Sequence, residues 1–308
     1  MIEEILMLSE NDGVRKIQSA GLLALKYFDN VCVKNNLTYY VCGGTLIGTV
    51  REKGFIPWDD DIDVMMPRKD YEWMLCHGNE LFHAPFVVCD YRCGGESDII
   101  KAHAVIYNTD IRIIDKNSNK EKGQYCYIDI FPLDGMPKGK IRRKLHYYHA
   151  FFWRIILQIS WYDSIVNQHK ESRNVLERSF IYLMNHMKYR PRWNSYKILD
   201  RWHRVLAKYD INTSDLVCSL TGPCRKKEIL QSWFFDKVLR MPFENIEVNV
   251  PRGYDTELRH YYGDYMIPPK TVEEKELHHR MEIIGENYNE YSAFDGSRNR
   301  EQNASGDS

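Results

Sequence analysis

GGTLIGTVREKGFIPWDDDIDVMMPRKD, residues 43–70, decides how this chain is read. Asp59, Asp61 and Asp63 alternate through DDDID, and the apolar Ile62, Val64, Met65 and Met66 predict a buried strand over 60–66. Side chains two apart on a strand share a face, so Asp61 and Asp63 point the same way, with Asp59 just ahead of them. Like charges this close repel, and burial sharpens the repulsion. A divalent cation with oxygen ligands, Mg2+ or Mn2+, relieves it and can hold substrate phosphates. An EF-hand loop fits poorly, because its sixth position needs Gly and holds Val64, its twelfth holds Asp70, and the flanks read as strand. A solvated acidic turn after Pro57 is the plainer reading, and the apolar run that continues from the acids argues against it.

Upstream, LTYYVC (37–42) predicts a strand that runs into Gly43-Gly44-Thr45 and then a short helix to about Glu52. Two glycines at a strand-to-helix turn let backbone approach a ligand, and the helix N-terminus offers free N–H groups to phosphate. The run lacks the Lys-Ser/Thr ending of a P-loop and the GxGxxG spacing of a dinucleotide site. Further on, 85–91, 98–107, 110–115 and 124–131 read as strands, and Pro67 opens a helix to about Asn79. On 124–131, Tyr127, Asp129 and Phe131 share one face, and an acid there is costly without a partner. A strand-end Asp bonded to a loop N–H is the bland alternative; Asp134 in the PLDG turn suits that role better than Asp129.

Gly-Gly followed by Asp-x-Asp is the signature of the nucleotidyltransferase fold, and the fuller wording resembles the LicD family. The resemblance rests on GGTLIGTVREKGFIPWDDDID, on YIDIFPLDGMP up to Pro137 and on YYGDYMIPP at 261–269. That family includes bacterial phosphocholine transferases and is related to fukutin and the fukutin-related protein. It implies an α+β fold, a mixed-sheet nucleotidyltransferase core carrying a helical domain. It also implies a third carboxylate on a neighbouring strand, and Asp129 matches. By the same resemblance the donor is a CDP-alcohol, CDP-choline foremost, and the acceptor is a sugar hydroxyl of a surface glycan or its lipid-linked precursor. Asp61, Asp63 and Asp129 are then the catalytic and metal-binding acids, with Asp59 a further metal ligand. Gly43, Gly44, Thr45, Arg51 and Lys101 are the candidates for the donor phosphates. Arg51 is the foremost cation, since it falls within the long motif; Lys53 and Arg112 are weaker. Trp58, Tyr261, Tyr262 or Tyr265 could face a quaternary ammonium through cation–π attraction, against a default of core packing. The rival is a metal-dependent glycosyltransferase that uses Asp-x-Asp to hold a sugar nucleotide.

The 308 residues divide by punctuation into a core over 1–137, a helical domain over 138–240, a segment over 241–284 that returns to the core, and a disordered tail over 285–308. An amphipathic helix is expected over about 11–35. Between Lys140 and Thr221 there is no glycine and only Pro191, which marks the helical domain. A net charge of −1 points away from nucleic acid. The N-terminus is acidic with too short an apolar run for a leader, so a cytoplasmic protein is expected, peripheral at the inner membrane face. Cys89 and Cys93 with His77 and His83 nearby suggest a zinc site only weakly, and the scattered cysteines read as reduced thiols. KIRRKLHYYHAFFWRIILQISWY (140–162) mixes dense aromatics with Arg142, Arg143, Lys144 and Arg154, which suits either a packed core helix or a membrane-surface helix.

Overall fold

The computed structural model describes residues 2–92, 101–115, 124–162, 193–268 and 281–286 together with 179, 182 and 186, and their side chains from residue 13 on. The core opens with α1 (Ile2–Lys34), β1 (Tyr40–Val41), α2 (Gly43–Arg51), β2 (Asp63–Pro67), α3 (Arg68–Cys76) and α4 (Gly78–Leu81). Three strands follow, β3 (Phe86–Cys89), β4 (Ala104–Asp115) and β5 (Gln124–Gly135), and then the helices α5 (Lys140–Ser160) and α6 (Ser195–Leu206). The chain goes on through β6 (Leu216–Cys218), β7 (Ile229–Gln231), β8 (Val238–Phe243), β9 (Ile246–Pro251), α7 (Tyr254–Tyr262) and β10 (Met281–Glu286). The fold is α+β around a mixed sheet.

The sheet runs β1-β2-β5-β4-β10, with β3 paired to β4 and the β6–β7 pair added to the end of β5. β2 and β5 are parallel neighbours, which sets Asp63 beside Asp129 and Met65 beside Phe131. Their alternate residues Val64, Met66, Ile128 and Ile130 are buried in the main core with Ala24, Leu25 and Phe28 of α1. Met65 and Phe131 belong to a separate cluster with Tyr40, Cys42, Leu230 and Phe234. The period of two therefore divides these strands into a core face and a face that carries the acids.

The predicted strand over 60–66 begins only at Asp63. Asp60 turns inward, where its Oδ2 accepts the Met281 N–H at 2.8 Å, and the Asp59 carbonyl accepts from Gln18 Nε2 at 2.8 Å. Those tertiary bonds hold 59–62 outside the ladder, so Asp61 precedes the strand. LTYYVC contributes only Tyr40 and Val41 to a strand. The two strands expected over 98–107 and 110–115 form one, β4, because the Asn108–Arg112 irregularity is a bulge and the Asn108 side chain caps it by accepting the Asp110 N–H. The helix after Pro67 stops at Cys76, and α4 is a separate turn. Residues 216–231 lie in the stretch read as helical, yet β6 and β7 extend the sheet from there. The expected tail start at 285 lies within β10, which runs to Glu286.

Candidate active site

α2 is entered through Gly43, whose φ of +57° is a left-handed conformation that glycine adopts without strain. A Cβ at Gly43 would come within 3.0 Å of Asp63 Oδ2, and one at Gly44 within 2.3 Å of Asp59 Oδ2. The glycine pair is thus the floor against which two carboxylates pack. Thr45 is buried, and its Oγ1 accepts the Asp63 N–H at 2.9 Å, so this hydroxyl fixes the start of β2.

The acids act on one another. Burial, then Asp60 and Asp129, push Asp61 up to about 6. Burial, then Asp61, Asp129 and Asp59, raise Asp63 well above the usual carboxylate range. Asp129 goes the other way: burial would raise it, but Lys101 and His103 outweigh that and hold it at about 2. Lys101 Nζ is 2.6 Å from Asp129 Oδ1 and also lies over the Tyr127 ring, 3.3 Å from its centroid. His103 Nε2 is 3.1 Å from the same oxygen, close enough for an ion pair but outside hydrogen-bond alignment. Lys101 was a phosphate candidate and lies just ahead of β4, paired with an acid. His103 was missed, because a lone histidine before a strand carries no signal.

Arg51 is held elsewhere. Its Nη1 donates to the Tyr265 carbonyl at 2.8 Å and its Nε to Glu52 at 2.7 Å. Arg112 is exposed on β4 opposite Tyr125, away from the acids. Trp58 and Tyr265 pack on the main core. Asp134 is no turn cap: β5 runs through it, and both its oxygens accept from Arg68 at 2.7 Å. Cys93 lies outside the described residues.

An open cleft reaches the acids at Asp63. Gly43, Asp63, Met65 and Phe131 line it together with Ser219, Gly222, Pro223, Cys224, Glu228, Glu257, Tyr261 and Tyr262. Asp59, Asp61, Asp63 and Asp129 offer oxygen donors only, and the raised, mutually repelling Asp61 and Asp63 suit a hard divalent cation. Among the described residues no three acidic, histidine or cysteine side chains are grouped so as to hold a metal ion together. Mg2+ does not require such a group, since it keeps several waters and takes one or two carboxylates plus phosphates. The residues present fit the ion.

With this geometry in place, the relatives are informative. Residues 36–154 match the model of the LicD/FKTN/FKRP nucleotidyltransferase domain. The lipopolysaccharide cholinephosphotransferase LicD of Haemophilus influenzae is 31% identical over 281 residues, 87% of this chain and 97% of that protein. The chain belongs to the LicD family. Uncharacterised proteins of Rickettsia prowazekii and Rickettsia typhi are 27% and 32% identical over 42% and 22% of this chain, and 46% and 25% of their own lengths. As a LicD-family protein, this chain keeps both halves of the resemblance side by side, with Gly43 and Asp63 on one cleft and Asp129 paired with Asp63.

Proposed function

We propose that the protein transfers phosphocholine from CDP-choline to a sugar hydroxyl of a cell-surface glycan or its lipid-linked precursor. One observation carries the reading: Asp63, brought into register with Asp129 by parallel strands, lines a cleft in a chain that spans nearly the whole Haemophilus cholinephosphotransferase. Asp61 and Asp63, with Asp129 and Asp59 beside them, would hold a Mg2+ or Mn2+ ion. Such an ion offsets negative charge on the diphosphate and the departing nucleotide. The acceptor oxygen attacks the phosphorus that bears choline, the bond to the CMP oxygen breaks with its electron pair, and the hydroxyl proton passes to a base. Asp129 is poorly matched to that last task, since a carboxylate held at about 2 is a weak base near neutrality. Its part is to fix Lys101 and His103 and to supply charge to the metal site.

The product decides between this reading and the glycosyltransferase. Phosphocholine transfer cleaves between the phosphates and releases CMP; glycosyl transfer releases a nucleoside diphosphate. Chromatography of nucleotides after incubation with Mg2+ and a panel of CDP-alcohols and sugar nucleotides is expected to show CMP alone, from CDP-choline. CDP or UDP as the product would transfer the assignment to the rival.

We further propose that α5 rests on the membrane that carries the acceptor. His146, Tyr147, Ala150 and Leu157 are buried, while Ile141 (78% exposed), Leu145, Tyr148, Phe152 and Ile155 form an exposed apolar stripe at helical spacing. Lys138, Lys140, Arg142 and Lys144 are exposed around its start, and residues 138–160 contain no acid. An apolar face flanked by cations suits an anionic bilayer surface. Among the described residues no helix is long and apolar enough to cross a membrane, so contact would be at the surface. Co-sedimentation with phosphatidylglycerol vesicles is expected to fall at least about tenfold in Leu145→Ser/Phe152→Ser. Equal binding by the double variant would leave the stripe without this role.

A further inference from the structure

On the far wall of the cleft from Asp63, two acids lie under aromatic rings. Glu257, on α7, is 1% exposed, and its Oε2 has no hydrogen-bond partner. Glu228 is buried beside it, its Oε1 accepting the Cys224 N–H at 2.8 Å and its Oε2 the Tyr261 hydroxyl at 3.2 Å. A Cβ on Gly222 would come within 2.5 Å of Glu228 Oε1, so the turn is shaped around that carboxylate. Arg154 secures the same turn by donating to the Leu220 and Gly222 carbonyls. Tyr261 is four residues after Glu257 on α7 and so lies on the same helix face; Tyr262, 48% exposed, stands at the mouth, and Phe131 closes the cleft from the sheet.

Among the described residues neither Glu228 nor Glu257 has a salt-bridge partner. Burial and then Glu228 raise Glu257 to about 8, so near neutrality it is largely protonated, and a cation held against it would favour the ionised form. Aromatic faces attract a diffuse cation that is readily stripped of water, whereas an ammonium with N–H groups demands hydrogen-bond acceptors on every side.

We propose that Glu257 and Glu228, with Tyr261, Tyr262 and Phe131, form a subsite for the quaternary ammonium of the transferred group and set the selection of choline over uncharged or smaller alcohols. The inference deepens the phosphocholine reading and rests on it for the orientation of the donor. With Asp63 at one end of the cleft and Glu228 and Glu257 at the other, the diphosphate and the cationic end of one donor would be separated by charge: phosphates at the metal, ammonium at the carboxylates.

The test uses two probes. Tetramethylammonium, which carries no phosphate, is titrated calorimetrically into the wild-type protein, Glu257→Gln and Tyr262→Leu. Wild type is expected to bind it and each variant at least about tenfold more weakly, with CMP affinity unchanged within about twofold. In turnover, CDP-choline is expected to exceed its neutral isostere, CDP-3,3-dimethylbutanol, by at least about tenfold in kcat/KM, a preference that Glu257→Gln abolishes. Tyr262 is exposed at the mouth, so Tyr262→Leu keeps the test informative if Glu257→Gln unfolds. Tetramethylammonium binding without turnover of CDP-choline would refute the donor assignment and leave the cation subsite standing. Absence of tetramethylammonium binding by the wild type, or equal binding by the folded variants, would overturn the subsite.

Discussion

Asp63→Asn and Asp129→Asn are both expected to lose at least about a hundredfold in kcat, and Asp63→Asn about a thousandfold or more, yet to move stability in opposite directions. Asp63 sits among Asp61, Asp129 and Asp59, whose charges together with burial raise it, so the amide relieves repulsion in the metal-free protein. Its melting temperature should hold or rise. Asp129, its neighbour across the parallel strands, is held ionised by partners of its own: Lys101 at 2.6 Å and His103 at 3.1 Å face its charge. Asparagine leaves a largely buried lysine without its counter-ion, and the melting temperature should fall. Sequence alone suggests that removing any of these buried charges would be neutral or stabilising; Lys101 and His103 reverse that for Asp129.

The pH dependence follows the same sign. The folded-state pKa of Asp129 lies below that of the unfolded chain, so its contribution is complete above the unfolded value. It is lost as pH falls from about 4 through about 2. Asp61, raised to about 6, acts oppositely: the metal-free protein gains stability from it as pH falls through about 6 toward the unfolded value. Thermal unfolding of both variants across pH 2–7, without metal and in parallel with turnover, reads both terms. Parallel losses of stability in Asp63→Asn and Asp129→Asn would refute the account of the charges, and near-normal turnover in Asp63→Asn would remove it from the site.

What was legible in the sequence was local. Alternation through Asp61-Ile62-Asp63-Val64 exposes a period of two within a few residues, and Gly43-Gly44 marks a backbone that must pass close to something. The structure supplies the object, the carboxylates of Asp63 and Asp59. The Tyr127, Asp129, Phe131 face was legible on the same grounds. Its partner strand was not, because parallel pairing joins residues 66 positions apart through no turn. The bond that Arg51 donates to the Tyr265 carbonyl, 214 residues on, was not legible either, because nothing local in the sequence joins the two. Glu228 and Glu257 were invisible for the converse reason. Each is an isolated acid in an ordinary segment, and only the return of α7 against the 219–224 turn makes them a pair. YYGDYMIPP was recognised as a motif, and its aromatics divided: Tyr261 and Tyr262 face the cleft, and Tyr265 packs on the core.

The largest loss of stability is expected at Asp134, far from any motif of charge. Asp134 is 1% exposed, and it receives Arg68 bidentately, Nε to Oδ1 and Nη2 to Oδ2, both at 2.7 Å. The third nitrogen, Arg68 Nη1, lies 3.1 Å from His203 Nδ1 on α6, and His203 Nε2 lies 2.9 Å from the Ala102 carbonyl. Burial and then Arg68 drive His203 down to about 3, so the ring is neutral. The guanidinium can only donate, which makes Nδ1 the acceptor and leaves the proton on Nε2 to bond the carbonyl. Ala102 lies between Lys101 and His103, the two residues that grip Asp129. A buried ion pair thus anchors α6 to the segment that holds Lys101 and His103 against Asp129. Asp134→Ala leaves the buried Arg68 guanidinium with only the half-exposed Glu72, 3.1 Å from its Nη1, as counter-ion, which costs up to about 3–5 kcal/mol, whereas Arg68→Met/Asp134→Leu removes both charges and should recover most of that. Denaturant unfolding of wild type, single and double variants measures the difference. A loss below about 1 kcal/mol in Asp134→Ala would show that water reaches the pair and that it does not anchor the fold. The chain from Arg68 to Ala102 adds a second expectation: His203→Ala, which spares the ion pair, should lower turnover more than stability, because it frees the carbonyl that places Lys101 and His103 against Asp129.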